Sequence, residues 1–97
     1  MERLRFEWDE QKNCENIREH GVSFEEAKTV FYDENAVEFY DEEHSEWEDR
    51  FLMLGLNLRM GVLLVCYCLR ESEEVIRIIS ARKATRKEQE FYPGGRR

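Results

Sequence analysis

The sequence predicts an α+β fold in which an antiparallel β-sheet carries two N-terminal helices and one C-terminal helix. Three observations favour this class: two capping boxes that mark helix starts, two strand-length apolar segments in the second half, and few glycines and prolines, at five and one. We expect the element order β-α-α-β-β-β-β-α. With 97 residues the chain suits one domain, and we assign residues 1–97 to it.

The first strand and the first helix are predicted from alternation and from capping residues. Residues 4–8 alternate apolar and polar side chains, the pattern of a short, half-buried strand. Asp9 can cap a helix that runs to about His20, and Gly21 stands where helices commonly end in a left-handed turn.

Apolar spacing predicts which faces of the first two helices point inward. In the first helix, Cys14 and Ile17 are spaced for one inward face, although the stripe is weak. A second helix begins at the capping box that runs from Ser23 to Glu26. Its inward stripe consists of Phe24, Ala27, Val30 and Phe31.

Four strands and a last helix follow. The predicted strands are residues 36–40, 50–58, 62–69 and 75–81. The middle two are apolar on both faces, as central strands are. Residues 41–49 form a polar, acidic loop, and residues 71–74 form an acidic turn. A second capping box opens a helix over residues 85–92, and residues 93–97 form a frayed tail.

Composition and cysteine usage predict a cytoplasmic protein. The chain is charged from Glu2 onward and begins with no apolar run of the signal-peptide type. Its longest apolar stretch, residues 62–69, is too short to span a bilayer. Cys66 and Cys68 stand two apart in an odd set of three, a spacing that suits neither a disulfide framework nor a zinc site. We therefore expect free thiols in a reducing compartment and no membrane partner.

The charge is divided unevenly along the chain. Residues 1–49 hold 5 Lys/Arg and 17 Asp/Glu, a net −12, whereas residues 50–97 hold 10 and 5, a net +5, which together give the total of −7. Such asymmetry indicates either a molecule with one basic and one acidic functional face, or unlike charges that neutralise each other across the fold.

Motifs for phosphate-binding loops, serine nucleophiles and HExxH metal sites are missing from the sequence. Four acidic side chains of the loop, Asp41, Glu42, Glu43 and Glu46, either gather a cation or form a solvated face. We favour the solvated face because a metal site needs converging ligands. We expect no cofactor and no metal. The two histidines, His20 and His44, are candidates for proton transfer, although a helix-end histidine such as His20 is more often a surface residue.

Arginines supply the more informative pattern. If Arg70 closes one strand and Val75 opens its antiparallel neighbour, Arg77 stands opposite Cys68 and shares a face with Arg70. Arg50 enters the preceding strand at the same end. A second basic group leads into the last helix and consists of Arg82, Lys83, Arg86 and Lys87.

Clustered arginines need a compensating anion. Either Glu48 and Asp49 supply it in an internal ion-pair network, or a ligand phosphate does. Ribonucleolytic cleavage suits such equipment, because the 2′-hydroxyl of the RNA is the nucleophile and arginines can hold the phosphate and neutralise its charge. Tyr67 or His44 can take part in proton transfer. Three aromatic residues, Trp8, Tyr40 and Tyr67, either stack on bases or belong to the core.

Two separated motifs resemble the BrnT family of toxins. The first comprises Phe6-Glu7-Trp8-Asp9, Lys12, Asn16 and the segment His20-Gly21-Val22-Ser23-Phe24-Glu25-Glu26-Ala27. The second is Val75-Ile76-Arg77-Ile78-Ile79-Ser80-Ala81-Arg82-Lys83-Ala84-Thr85 with Glu88. Between them Asp41, His44, Arg50, Gly55 and Arg70 follow in the expected order, so that the match covers about residues 5–92.

The resemblance implies a RelE-like fold and a ribonuclease that lowers translation and growth. It also implies a BrnA-like antitoxin, whose dimerising DNA-binding domain would bring the complex to operator DNA. The implied catalytic residues are Arg50, Arg70, Arg77 and Arg82. Those implied or suggested for substrate binding are Trp8, Lys12, Tyr67, Lys83 and Arg86, with His20 and His44 for proton transfer.

One departure from the family pattern favours an alternative function. The turn at residues 71–74 is acidic and longer than the glycine-containing turn usual there, and it brings negative charge beside Arg70. The alternative is a toxin-fold module that cleaves RNA weakly or not at all and acts with its antitoxin as co-repressor of its own operon.

Overall fold

A computed structural model describes residues 3–93 of the chain. Its strands are β1 (Arg5–Glu7), β2 (Val37–Tyr40), β3 (Phe51–Asn57), β4 (Gly61–Arg70) and β5 (Val75–Lys83). Its α-helices are α1 (Glu10–His20), α2 (Phe24–Ala27) and α3 (Arg86–Gln89), and short 3-10 helices cover Lys28–Tyr32 and Glu42–His44. The predicted α+β class is confirmed. Residues 94–97 of the predicted tail lie outside the described residues.

The caps that the sequence indicated are present. An Asp9 carboxylate oxygen accepts from the Gln11 amide at 2.8 Å, and α1 ends at Gly21 with a φ of 71°. Ser23 and Thr85 each head a complete capping box. Local side-chain chemistry therefore fixes where the three α-helices begin.

The sheet is mixed, and the prediction of an antiparallel sheet was wrong for its first strand. The strand order is β1-β5-β4-β3-β2, with β1 parallel to β5 and the other neighbours antiparallel. Alternation along residues 4–8 identified a strand but carries no information about the direction of its neighbour. Between β1 and β2 the chain crosses from one edge of the sheet to the other, and α1 and α2 lie in this crossing.

Helix α1 turns two asparagines inward, which corrects the predicted inward face. The Asn16 amide donates to the Ala81 carbonyl at 2.8 Å and its oxygen accepts from the Ala81 amide at 3.1 Å. Asn13 accepts from the Phe24 amide at 2.8 Å. Cys14 and Ile17 are exposed instead. The reason is that β1 is too short to pair with this part of β5, so that Asn16 satisfies the free backbone groups.

The main core lies between this helical layer and the sheet. Its fully buried residues include Val22, Phe24, Ala27, Val30, Leu63, Val65, Ile78 and Ala81. The predicted second helix is α-helical only over Phe24–Ala27 and continues as the 3-10 helix, which rests on β3. A Cβ atom added to Gly55 of β3 would lie 2.9 Å from Val30 Cβ, so glycine permits this close approach.

A smaller core covers one end of the opposite face of the sheet. Tyr92, just after α3, packs with Leu54, Val62 and Ala84, and its hydroxyl donates to Asp33 at 2.6 Å. The segment that contains α3 and Tyr92 covers that end of this sheet face, and the remainder of the face stays accessible.

Candidate functional site

Four arginines lie on the face of β3, β4 and β5 that points away from α1 and α2. Cys68 pairs with Arg77 across β4 and β5, as predicted, and strand alternation puts Arg70 on the same side. Arg50 and Arg82 share a pocket with Leu52, Cys66 and Ser80 of this face. We call it the arginine face, and it bears Arg50, Arg70, Arg77 and Arg82.

Each of these arginines is paired with a glutamate. Arg50 Nε lies 3.3 Å from one Glu48 carboxylate oxygen, and an Arg70 guanidinium nitrogen lies 3.6 Å from the other. The side chain of Cys68, and then the charge of Glu48, raise the pKa of Arg70.

The other two pairs involve glutamates that are distant from Glu48 in the sequence. Arg77 contacts Glu7 of β1 at 2.9 Å. Glu48 and Glu7 therefore supply compensating charge inside the chain, whereas Asp49 accepts a hydrogen bond from Tyr40 at 2.9 Å.

The fourth pair joins Arg82 to the capping box of α3. Two Arg82 nitrogens contact the two Glu88 oxygens, each at 2.9 Å, and one of these oxygens also accepts from the Thr85 amide at 2.9 Å. The Arg82 hydrogen bond lowers the pKa of Glu88 to about 2, against the opposing effect of its burial. The same glutamate thus starts a helix and positions an arginine.

A pocket on the arginine face contains both histidines. We call it the histidine pocket; residues around it include His20, His44, Arg50, Cys66, Arg82 and Glu88. His20 comes from the end of α1, and His44 comes from the acidic loop. Residues from five separate parts of the chain therefore meet in one depression.

A buried carboxylate holds His44. Asp41, which is 8% exposed, has a carboxylate oxygen 3.0 Å from His44 Nδ1. The Ser45 hydroxyl donates to the Asp41 carbonyl at 2.6 Å and accepts from the Arg50 amide at 2.9 Å. Hydrogen bonds within the loop therefore hold both His44 and the Arg50 backbone in place. Because Nδ1 of His44 contacts Asp41, Nε2 of His44 is the nitrogen that remains for proton exchange.

The thiol of Cys66 forms part of the floor of this pocket. Burial, followed by the nearby charge of Asp41, raises its pKa to about 11, so that the thiol stays protonated at neutral pH. The charge of Arg50 acts against this rise in the pKa of Cys66, and the charge of Glu48 adds to it.

A family model described as "Ribonuclease toxin, BrnT, of type II toxin-antitoxin system" matches residues 8–88. The chain belongs to the BrnT family of ribonuclease toxins. No curated protein sequence matches the chain.

A solved structure supports the same assignment. The 1.1 Å crystal structure of the Brucella abortus ribonuclease toxin BrnT superposes with a TM-score of 0.68. The sequence identity is 25%, and the match covers 87% of this chain and 100% of that chain. The mixed α+β fold with a five-stranded sheet is therefore shared with a BrnT toxin.

Two aromatic residues for which the BrnT resemblance implied substrate binding lie on the other side of the sheet. Tyr67 is 2% exposed, and its hydroxyl donates to Glu38. Burial, and then this hydrogen bond, raise its pKa far above the usual range. Trp8 packs edge-on against Phe24, with ring centroids 6.0 Å apart, and its indole donates to Glu10. Neither side chain lines the histidine pocket.

The remaining basic candidates are exposed and separate from the pocket lining. Lys12 lies on α1 and Arg86 on α3, whereas Lys83 pairs with Leu63 and so points to the opposite face from Arg82. Strand alternation, visible in the sequence, was the signal that could have separated Lys83 from Arg82. The buried partner of His44, Asp41, was missed as a functional residue because the sequence shows it only as part of an acidic loop.

The acidic loop does not form a metal site in the described part of the chain. Within residues 3–93, no three His, Cys, Asp or Glu side chains are placed to bind one metal ion. Over the same residues, no helix is long and apolar enough to cross a membrane.

Proposed function

We propose that the arginine face is the active site of an endoribonuclease that uses the 2′-hydroxyl of its RNA substrate and needs no metal ion. The observation that carries this proposal is the histidine pocket, where two arginines and both histidines meet. Arginines supply planar donors for a phosphate, and a histidine can exchange protons with the reacting oxygens. Arg70 and Arg77 lie on the same face of the sheet, along β4 and β5.

The arginines can exchange their glutamate partners for a phosphate of the substrate. Arg70 and Arg77 side chains are 48% and 31% exposed, so that a phosphate can approach and take the place of a carboxylate. Such pairs at partly exposed positions are weak. A net charge of −7 opposes RNA binding at long range. Contacts between the arginines and phosphates release counterions, and we therefore expect affinity to fall with salt.

Membership of the BrnT family supports the biological setting of this proposal. The chain is a cytoplasmic toxin with a RelE-like fold, and its RNA cleavage lowers translation and growth. A BrnA-like antitoxin neutralises it, and operator DNA is bound only through that antitoxin. The presence of an antitoxin partner follows from the type II family itself.

The first test is expression without the antitoxin, followed by measurement of growth and RNA integrity. Arg50→Ala and Arg82→Ala should each lower cleavage about a hundredfold or more, the usual cost of removing a donor to transition-state charge. Arg59→Ala is the matched control, because Arg59 lies in the turn between β3 and β4 and its side chain is 82% exposed. Cleavage by purified protein should persist in a chelator.

The result that would contradict the proposal is RNA cleavage by folded Arg50→Ala and Arg82→Ala variants at the rate of the Arg59→Ala control. Loss of cleavage in the presence of a chelator would contradict only the claim that the enzyme needs no metal ion.

The pairing of all four arginines with glutamates favours a second function. The chain can act as an antitoxin-binding co-repressor that cleaves RNA weakly or not at all. The acidic turn also favours this second function, because Glu71 and Glu74 lie beside the end of β4 that carries Arg70. Protein that leaves RNA intact, yet binds its antitoxin and represses its promoter, would establish this function instead.

A further inference from the structure

Glu48 occupies a special position on the arginine face. Its two carboxylate oxygens contact different arginines, Arg50 at 3.3 Å and Arg70 at 3.6 Å, so that it bridges two of the four. Its side chain is 36% exposed, which leaves the carboxylate accessible to a ligand held by the same arginines. If a phosphate binds to these two arginines, the ribose attached to it comes close to this carboxylate.

We propose that Glu48 is the general base that removes the proton from the 2′-hydroxyl of the RNA, an inference that rests on the proposed ribonuclease function. Arg50 is near both proton-transfer groups, because it contacts Glu48 and also lines the histidine pocket with His44. A phosphate bound at Arg50 would therefore have both Glu48 and His44 near it.

The proposed step balances in atoms and charge. The Glu48 carboxylate takes the 2′-hydroxyl proton while the 2′-oxygen forms a bond to phosphorus. The bond from phosphorus to the 5′-oxygen breaks, and this oxygen takes a proton from protonated His44. The products are a 2′,3′-cyclic phosphate and a 5′-hydroxyl end. Glu48 then loses its proton to water and His44 gains one, which restores both groups.

The other glutamates of the face are less suited to this role. Glu88 binds Arg82 with both oxygens and also accepts from the Thr85 amide, and its pKa of about 2 makes it a weak base. Glu7 forms its ion pair with Arg77 at the β1 edge, and within residues 3–93 it forms none with Arg50, the arginine that lines the histidine pocket. Glu48 is the carboxylate that faces both Arg50 and Arg70.

The decisive variant is Glu48→Gln, with Glu46→Gln as its matched control. Glu46 belongs to the same loop, is exposed, and its change alters the net charge equally. With single-stranded RNA as substrate, Glu48→Gln should lower kcat about a hundredfold or more, the contribution typical of general acid–base catalysis. KM should stay the same or fall, because a carboxylate that competes for Arg50 and Arg70 has been removed.

A pH profile separates a base from a residue that only positions the arginines. The rise of kcat with pH on the acidic side should disappear in Glu48→Gln and remain in Glu46→Gln. Glu48→Asp should retain that rise at a lower kcat, because it keeps the carboxylate on a shorter side chain. If Glu48→Gln does not fold by circular dichroism, the Glu48→Asp profile decides.

Several outcomes would overturn the inference. Cleavage by Glu48→Gln at or above the rate of the wild type would show that Glu48 only competes with substrate, and the proposed function would stand. An unchanged acidic limb in Glu48→Gln, or its absence in Glu48→Asp, would likewise exclude Glu48 as the base. No cleavage by the wild type would overturn both the inference and the proposed function.

Discussion

Replacement of Glu73 by glycine should stabilise the protein, because the turn between β4 and β5 adopts an unfavourable backbone conformation. Glu71, Ser72 and Glu73 have φ values of 52°, 58° and 69°. A residue with a Cβ atom costs about 1–2 kcal/mol in this left-handed region, whereas glycine adopts it freely. Allowing for the greater freedom of glycine in the unfolded chain, we expect Glu73→Gly to raise the free energy of unfolding by about 1 kcal/mol.

The matched control is Glu74→Gly, which makes the same change in charge one position further along. Glu74 is absent from the positive-φ residues of the described chain, so glycine there should bring no gain. Its contact with Arg5, at 3.9 Å and between exposed side chains, contributes little. Thermal unfolding followed by circular dichroism should show a midpoint about 4–8 °C higher for Glu73→Gly than for the wild type. A midpoint equal to or below that of Glu74→Gly would refute the reasoning.

Three further predictions concern stability. Gly55→Ala should destabilise the fold by about 1–3 kcal/mol, because the new methyl group lies 2.9 Å from Val30 of the 3-10 helix. Chemical denaturation should show a lower midpoint, and an unchanged midpoint would mean that the 3-10 helix shifts to make room. Asn16→Ala should cost about 2–4 kcal/mol in the same assay, because it leaves the Ala81 amide and carbonyl without partners, whereas unchanged stability would mean that water replaces the side chain. The depressed pKa of Glu88 contributes stability that is complete above its ordinary value of 4.5 and is lost as the pH falls towards about 2. After allowance for the exposure of Arg82 this amounts to about 1 kcal/mol, and the wild type should lose that much more stability than Glu88→Gln between pH 5 and pH 2.

Features that depend on neighbouring residues could be predicted well from the sequence. The caps at Asp9, Ser23 and Thr85 involve hydrogen bonds to amides two or three residues away. The register that sets Arg77 opposite Cys68 depends only on a turn of four residues. These features were predictable because their geometry is set within one turn of chain.

Errors arose where a local pattern was used to infer a distant contact. The spacing of Cys14 and Ile17 suggested an apolar face, but Asn16 faces inward because its partner, the Ala81 backbone, is 65 residues away. Tyr67 was a candidate for substrate binding from the BrnT resemblance, and it stands three residues before Arg70. An odd spacing along a strand puts two side chains on opposite faces, and β4 follows that rule.

The sequence by itself determined the class of fold, the residues at which its helices begin, the hairpin that aligns Arg70 with Arg77, and the family to which the chain belongs. Only the tertiary structure decided the sheet order, the parallel pairing of β1 and the convergence of His20, His44, Arg50 and Arg82 on one pocket. The physical reason is that these groups come from elements far apart in the chain. Strand order and direction, which carry no local signature, determine whether they meet.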